Sequence, residues 1–379
     1  VKEKVTIGFP IMHEEPGEKR VFLPDFLRKL TDIGYEVFIE EGYGNSLGLQ
    51  FDDYKNESSK IHPLERVDIF KQDFVLILRS PHDNELELLG KNSCLISMLH
   101  YHTHSLRQGI LEKNAIKAIS IDSIMDDFGL RLVENMTAVA WNGLEVAFNQ
   151  FENYIPDLIR KDGTSWQVLV IGTGMVGKQA VDAATKLGRR ERNSKHMQLG
   201  GPGVIVTSIG RNITHHKDQM ITLLSKADIV VDATQRHDPS KPIIPNDWIA
   251  HMPEHATIVD LSVDPYSLTA DPPVVKGIEG IPEGNLDKYI FYKDDPLWDQ
   301  AIPAGIPSKN RRKTITCYSW PGIHPEVCMR HYGQQLLPLM RALFNKDYRS
   351  LSPEGRYFER ALYRARLDTY LKNFTYKKT

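Results

Sequence analysis

VLVIGTGMVGKQA, residues Val168 to Ala180, joins an apolar run, a tight glycine turn and the start of an amphipathic helix. Four apolar residues, Val168 to Ile171, predict a buried parallel strand, and Val176, Ala180, Ala183, Ala184 and Leu187 recur at helical spacing. Between them Gly172, Gly174 and Gly177 stand in GxGxxG spacing. In such a unit the first glycine permits the turn, the second admits a pyrophosphate close to the backbone, and the third lets helix and strand pack. The unpaired N–H groups of the helix start then face the phosphates. Met175 and Val176 fill the two variable positions and join the glycines as the candidate cofactor-contacting set. The alternative is a tight strand-to-helix turn that binds nothing.

Outward from this unit, the chain of 379 residues is long enough for two domains with separate cores. Its hydrophobic fraction of 41% and charged fraction of 25% are those of an ordinary globular protein. A net charge of −2 provides no global field for nucleic acid or anionic lipid. The sequence has no apolar run long enough to span a bilayer, and VKEKVTIGFP lacks a signal-peptide core and reads as an opening strand. Cys94, Cys317 and Cys328 are odd in number and widely spaced, which predicts reduced thiols and a cytoplasmic setting.

Before the glycine turn, strands are predicted at Val5–Phe9, Glu36–Glu40, Asp73–Leu78, Cys94–Leu99 and Lys117–Ile121, with helix over Pro24–Gly34 and a long helix over Leu132–Ile159. After it, strands are predicted at Val204–Ser208, Ile229–Ala233 and Thr257–Leu261. Such alternation makes an α/β fold with parallel sheets. Helical runs at Pro325–Asn345 and Pro353–Asn373 are expected to return to the first domain. The expectation is two Rossmann-like domains, the nucleotide-binding one inserted in a discontinuous flavodoxin-like substrate domain. The boundaries are 1–150 for the first part of the substrate domain, 151–300 for the dinucleotide domain and 301–379 for the return. Leu187–Gly203, LGRRERNSKHMQLGGPG, is longer than an ordinary connection. It reads either as a solvated basic excursion or as a loop near the adenosine end of a cofactor.

Chemistry-bearing residues fall at predicted strand ends, where open α/β sheets place their sites. Arg20 follows the first strand, and its planar fork suits a carboxylate. Arg79 closes the apolar run FVLILR. His100 ends LISMLH and can exchange protons near neutral pH. His102 and His104 follow it, but nearby carboxylates or cysteines to complete a metal site are not evident, so no metal is expected. Asp260 and Asp264 end the strand of ATIVDLSVDPY. Asp126, Asp127 and Arg131 precede the long helix as caps or, for Arg131, as a substrate contact. Ser208 is read as the end of the second strand of the nucleotide domain, where an NAD site usually has Asp or Glu. A neutral residue there, with Arg211 close behind, leans toward NADP over NAD.

Taken in order, several segments resemble one family. They are IGFPIMHEEPGEKRVFLP (Ile7–Pro24), LILRSP (Leu76–Pro81), LISMLHYH (Leu95–His102), DDFGLRLV (Asp126–Val133), the glycine unit, the stretch Pro242–Tyr266 and CYSWPGIHPEVCMRHYGQQLLPLM (Cys317–Met340). The family comprises alanine dehydrogenase, the first domain of proton-translocating transhydrogenase and the lysine-forming saccharopine dehydrogenase. The resemblance implies an NAD(P)-dependent oxidoreductase acting on an amino acid or opine-like secondary amine. It implies that Arg20 binds the substrate carboxylate, Arg131 binds substrate, His100 is the acid/base and Asp264 lies near the nicotinamide. The partner would be a small carboxylate-bearing molecule, with a homo-oligomer left open. One departure stands out. The family's catalytic lysine aligns with Arg79, which stays protonated and cannot deliver and recover a proton. That leaves a dinucleotide-binding protein without dehydrogenase activity as the alternative.

Overall fold

The computed structural model describes residues 4–13, 15–101, 105–346 and 348–376. His102 and His104 lie outside the described residues. The chain divides into two units, one reaching to Asn135 and resuming at His324, the other Met136–Ile323.

The first unit has six strands: β1 (Thr6–Phe9), β2 (Glu36–Glu40), β3 (Ile61–Leu64), β4 (Phe74–Arg79), β5 (Cys94–Met98) and β6 (Lys117–Ser120). They pair in parallel in the order β3-β2-β1-β4-β5-β6. Without β3 this is the flavodoxin-like order; β3 adds one edge strand. The sequence reading omits β3 because it is short and contains Pro63, which a central strand excludes but an edge tolerates. The chain leaves β1 toward β2 and returns on the other side at β4. The loops following β1 and β4 therefore diverge at a topological switch point.

The return of the C-terminus follows from packing. Leu27 and Leu30 of the Pro24–Ile33 helix share one core with Leu336, Leu339, Met340 and Leu343 of the Pro325–Asn345 helix. The Tyr35 hydroxyl donates to the Met340 carbonyl at 2.8 Å. Each fully buried leucine contributes roughly 1.5–3 kcal/mol.

The second unit has β7 (Trp166–Ile171), β8 (Val204–Ile209), β9 (Ile229–Asp232), β10 (Thr257–Asp260), β11 (Ile290–Phe291) and β12 (Lys313–Thr316). Their order is β11-β12-β10-β9-β7-β8, all parallel except the β11–β12 pair. The switch point lies between β7 and β9. The long helix is Met136–Glu152, shorter than its apolar pattern, and Ala140, Leu144, Ala147, Phe148 and Phe151 bury one face of it. That face packs with Trp166, Val259 and Leu261, so the helix belongs wholly to the second unit. The division thus falls at 135/136 and 323/324, whereas the sequence reading sets 150/151 and 300/301. β12 also extends the second unit beyond residue 300. Its Thr314 and Thr316 are buried, so a strand interior to the sheet reads as polar.

Leu187–Gly203 is largely exposed, as a solvated basic excursion would be, but it is anchored. It holds a helix, Arg190–Gln198, fixed by two buried side chains. Arg192 donates to Glu152 at 3.0 Å, to the Leu187 carbonyl at 2.6 Å and to Asn149. His196 bridges the Asp157 carbonyl and the Gly203 N–H, both at 2.9 Å. The Gly203 carbonyl in turn accepts from Trp166, at the start of β7. The insertion therefore braces the sheet edge opposite the glycine turn. Arg192→Ala strips the donors from buried acceptors and is expected to cost about 1–3 kcal/mol in urea denaturation.

Candidate active site

In the first unit the loop after β1 and the end of β4 bring four charges together. Arg20 is buried and grips Glu18 with two bonds, Nε at 2.9 Å and Nη2 at 2.5 Å. Burial pushes the Glu18 carboxyl up, but the Arg20 hydrogen bonds overcome this and hold it below its ordinary value. Burial likewise opposes the Arg20 charge, and Glu18 outweighs it, so the guanidinium is raised. Arg79 closes β4 and reaches Glu15 at 2.8 Å and Glu18 at 3.8 Å. Its side chain is 27% exposed against 5% for Arg20, so Arg79 is the guanidinium more open to a ligand. His13 lies 3.4 Å from Glu15, with its ring 4.3 Å from that of His82. Burial, then the Arg79 charge, lowers the His13 pKa.

His100 follows β5 with a φ of +48°, a left-handed backbone few non-glycine residues adopt. Asp122, just past β6, supports it twice. Its Oδ1 accepts the His100 backbone N–H at 3.2 Å, and its Oδ2 lies 3.4 Å from Nδ1. The Ser120 hydroxyl donates to the same carboxylate at 2.7 Å. Burial works to raise the Asp122 pKa, but the His100 contact and the Ser120 bond win, and the carboxyl sits well below the usual range. The imidazole is 48% exposed, with Nδ1 turned to the acid. Sequence reading misses Asp122. Its signal is an acid just past the neighbouring strand, in KAISID.

Arg131 is exposed and bridges Met125 across a short turn. Asp126 caps that turn, accepting from the Phe128 and Leu130 N–H groups. Asp127 pairs with Arg360 and Arg364. Both aspartates are structural here.

In the second unit Gly172 has a φ of +113°, and a Cβ on it would stand 2.3 Å from the Ala233 carbonyl oxygen. A Cβ on Gly177 would stand 2.0 Å from the Gly172 oxygen. A Cβ on Gly174 would meet nothing within 4 Å, which leaves open space at the start of the Met175–Thr185 helix. Closed on two sides and open on the third, with helix-start N–H groups beside it, the turn fits a pyrophosphate. Ser208 does not end its strand. β8 runs on to Ile209, whose carbonyl accepts from Gly172 at 2.9 Å, and Gly210 is the first residue past it.

The ends of β9 and β10 hold buried acids. Asp260 meets Lys276 at 2.9 Å and accepts from Thr316 and Ser262. Asp264 pairs with Arg236 at 2.8 Å; burial raises its pKa, and Arg236 offsets only part of this. Asp232 accepts from Thr234, and burial, then the Asp260 charge, pushes it up to about 7. Arg236 and Lys276 are absent from the sequence reading because each lies in a loop, and Asp232, although inside a predicted strand, is not singled out there because its role depends on the neighbouring β10. Among the described residues no three His, Cys, Asp or Glu side chains form a metal-holding group. No described helix is long and apolar enough to cross a membrane.

Residues 11–140 match the alanine dehydrogenase/PNT N-terminal domain, and residues 162–267 match the C-terminal domain of the same family. The chain belongs to the alanine dehydrogenase/PNT family. Alanine dehydrogenase 1 of Staphylococcus aureus is 30% identical over 125 residues, 33% of this chain and 33% of that protein. The match thus spans about a third of the curated relative's length. Among solved structures, an L-alanine dehydrogenase has a TM-score of 0.67 at 19% identity, over 96% of this chain and 94% of that one. A transhydrogenase from Sinorhizobium meliloti has a TM-score of 0.60 at 16% identity, over 89% and 94%. These structural likenesses show a shared fold.

The raised Asp232 pKa has a pH signature. An unfolded aspartate titrates near about 3.9. The stability Asp232 contributes is full below that value and is lost as pH rises through about 7. Asp232→Asn keeps a neutral side chain throughout. Its stability relative to the parent should rise from pH 4 to above pH 7 in urea midpoints; parallel curves would contradict a raised Asp232.

Proposed function

We propose that this protein is a nicotinamide-dinucleotide-dependent oxidoreductase acting on the carbon–nitrogen bond of an amino acid or opine-like secondary amine. In reverse it acts on a 2-oxo acid or its imine. The observation that carries the reading is His100, oriented by Asp122, on the same sheet edge as the guanidinium of Arg79.

The glycine turn with Met175 and Val176 is the set that holds the dinucleotide, whose nicotinamide supplies or accepts the hydride when bound. His100 Nε2 exchanges the proton with the substrate, while Asp122 fixes the tautomer and stabilises the imidazolium. Arg79 remains charged, so it polarises the reacting centre or binds a carboxylate and leaves proton transfer to His100. A carboxylate at Arg20 has to compete with the buried Glu18, whereas at Arg79 it competes first with the more exposed Glu15. Arg131 offers a further guanidinium. Several guanidiniums suit a substrate with more than one carboxylate. Asp264, held by Arg236, is assigned to the nicotinamide side.

A second reading is a dinucleotide-binding protein that no longer catalyses the dehydrogenase reaction. The pairing of Arg79 with Glu15, where the family has a free-acting lysine, favours it. Purified protein supplied with pyruvate, glyoxylate or 2-oxoglutarate, and with ammonia or lysine, distinguishes them through the absorbance of reduced nicotinamide. Turnover is expected, and His100→Gln should lower kcat by roughly 10²–10⁴ without weakening dinucleotide binding. Asp122→Asn should lower kcat and shift its pH profile. Binding without turnover for any pair, with alanine dehydrogenase activity appearing in Arg79→Lys, would establish the second reading.

A further inference from the structure

We propose that the second unit selects a 2′-phosphorylated dinucleotide, with Arg211 and His237 forming the phosphate subsite beside Gly210. The inference rests on the reading that this unit holds a dinucleotide.

The position that decides the choice is Gly210. The Gly172 N–H donates to the Ile209 carbonyl at 2.9 Å, so Gly210 is the first residue beyond the β7–β8 ladder and stands level with the glycine turn. A Cβ built on it points toward the Thr173 side chain at 3.9 Å and Asn212 Oδ1 at 3.4 Å. In dinucleotide folds an acid at this point accepts from the adenosine ribose 2′-hydroxyl, and the same acid repels a 2′-phosphate. The segment Ser208-Ile209-Gly210-Arg211-Asn212 contains no acid. Nor does the backbone require glycine. Gly210 is extended, with φ −102° and ψ −176°, which any residue adopts. What glycine provides here is room.

Two nitrogen-bearing side chains border that room. Arg211 Nη1 is in direct contact with His237 Nε2. They come from different loops, after β8 and after β9, the two strands that flank β7. Both side chains are exposed. The adjacent acid, Asp238, is occupied within its own loop. It accepts from the Ser240 N–H at 3.0 Å and pairs with Lys241 at 3.0 Å. A phosphate monoester presents several acceptor oxygens, enough to take a guanidinium donor and an imidazole donor together. A ribose hydroxyl is uncharged and gains no charge-assisted hydrogen bond from the guanidinium. This subsite differs from the Ser208 and Arg211 pair of the sequence reading, because Ser208 sits inside the ladder opposite Val170.

The test is calorimetric titration of the whole chain with adenosine 2′,5′-bisphosphate and with 5′-AMP, and with NADPH and NADH. Wild type should bind the bisphosphate at least about tenfold more tightly than AMP, the scale of one charge-assisted hydrogen bond. Arg211→Ala should erase most of that ratio and leave AMP affinity unchanged, which also shows the variant is folded. His237→Ala should erase part of it. Gly210→Asp, for which the backbone and the space are suitable, should reverse the preference toward NADH. Equal or tighter binding of AMP by wild type overturns the subsite, as does a ratio that survives Arg211→Ala. If NADH binds and the 2′-phosphate makes no difference, the subsite alone fails. If none of the four ligands binds, the dinucleotide reading fails and the subsite with it.

Discussion

The close approach of two backbones at Gly172 fixes the second unit. β7 and β9 run in register with Ile171 opposite Asp232, and the turn after β7 passes directly over the Ala233 carbonyl. A side chain on Gly172 or Gly177 would force helix, turn and strand apart. The same approach brings Asp232 under the turn, where a Cβ on Gly277 would fall 2.2 Å from its carboxylate. With no room for a hydration shell and Asp260 alongside, the carboxyl is more stable protonated. Close packing at the turn and a buried, proton-holding acid are therefore one constraint. The Gly172 bond to Ile209 then fixes which residue of the next loop stands beside the turn.

The first unit balances its charges differently. Arg20 and Glu18 are nearly sealed from water, and such a pair is costly to break, roughly 3–5 kcal/mol if one partner is removed. Arg79 and Glu15 complete the set at about one-third exposure, where exchange with an incoming ion is easier. Two guanidiniums facing two carboxylates leave the edge near neutral, so it holds together before any ligand arrives. In the oxidoreductase reading an incoming carboxylate would compete with Glu15 rather than meet an uncompensated positive site. Arg79 also stands 3.8 Å from Glu18, so the exposed and the buried pairs are coupled.

The two-sheet α/β organisation was legible because parallel strands buried on both faces leave continuous apolar runs, as in Phe74–Leu78 and Val168–Ile171. β3 and β12 were not legible. One contains an edge-tolerated proline and the other buries threonines, so each breaks the apolar pattern for a local reason. Arg79 and His100 were visible as charges closing apolar runs, whereas Asp122 was not, since its role depends on which strand lies next to β5. The shift from Ser208 to Gly210 has a similar cause. Where β8 ends is set by its pairing with β7, which keeps Ser208 inside the ladder and leaves Gly210 as the first residue beyond it. The exposure of the insertion was legible in its basic sequence, whereas its anchors were not, because Arg192 and His196 are themselves basic residues and yet buried.

Arginine at position 79 places a definite demand on the rest of the edge. A lysine can lose its proton to a reacting nitrogen or oxygen and regain it, but a guanidinium with a pKa above about 12 holds its proton throughout. In the oxidoreductase reading, every proton movement then falls to the imidazole of His100. A single imidazole can serve both directions only if one tautomer is fixed, and the Asp122 carboxylate on Nδ1 provides that fixing. Asp122 in turn remains charged because His100 and Ser120 overcome its burial. The strained backbone of His100, of order 1–3 kcal/mol, is held by the same carboxylate through the backbone N–H. One buried acid thus holds both the ring and the backbone of His100, while the neighbouring strand end carries the guanidinium of Arg79.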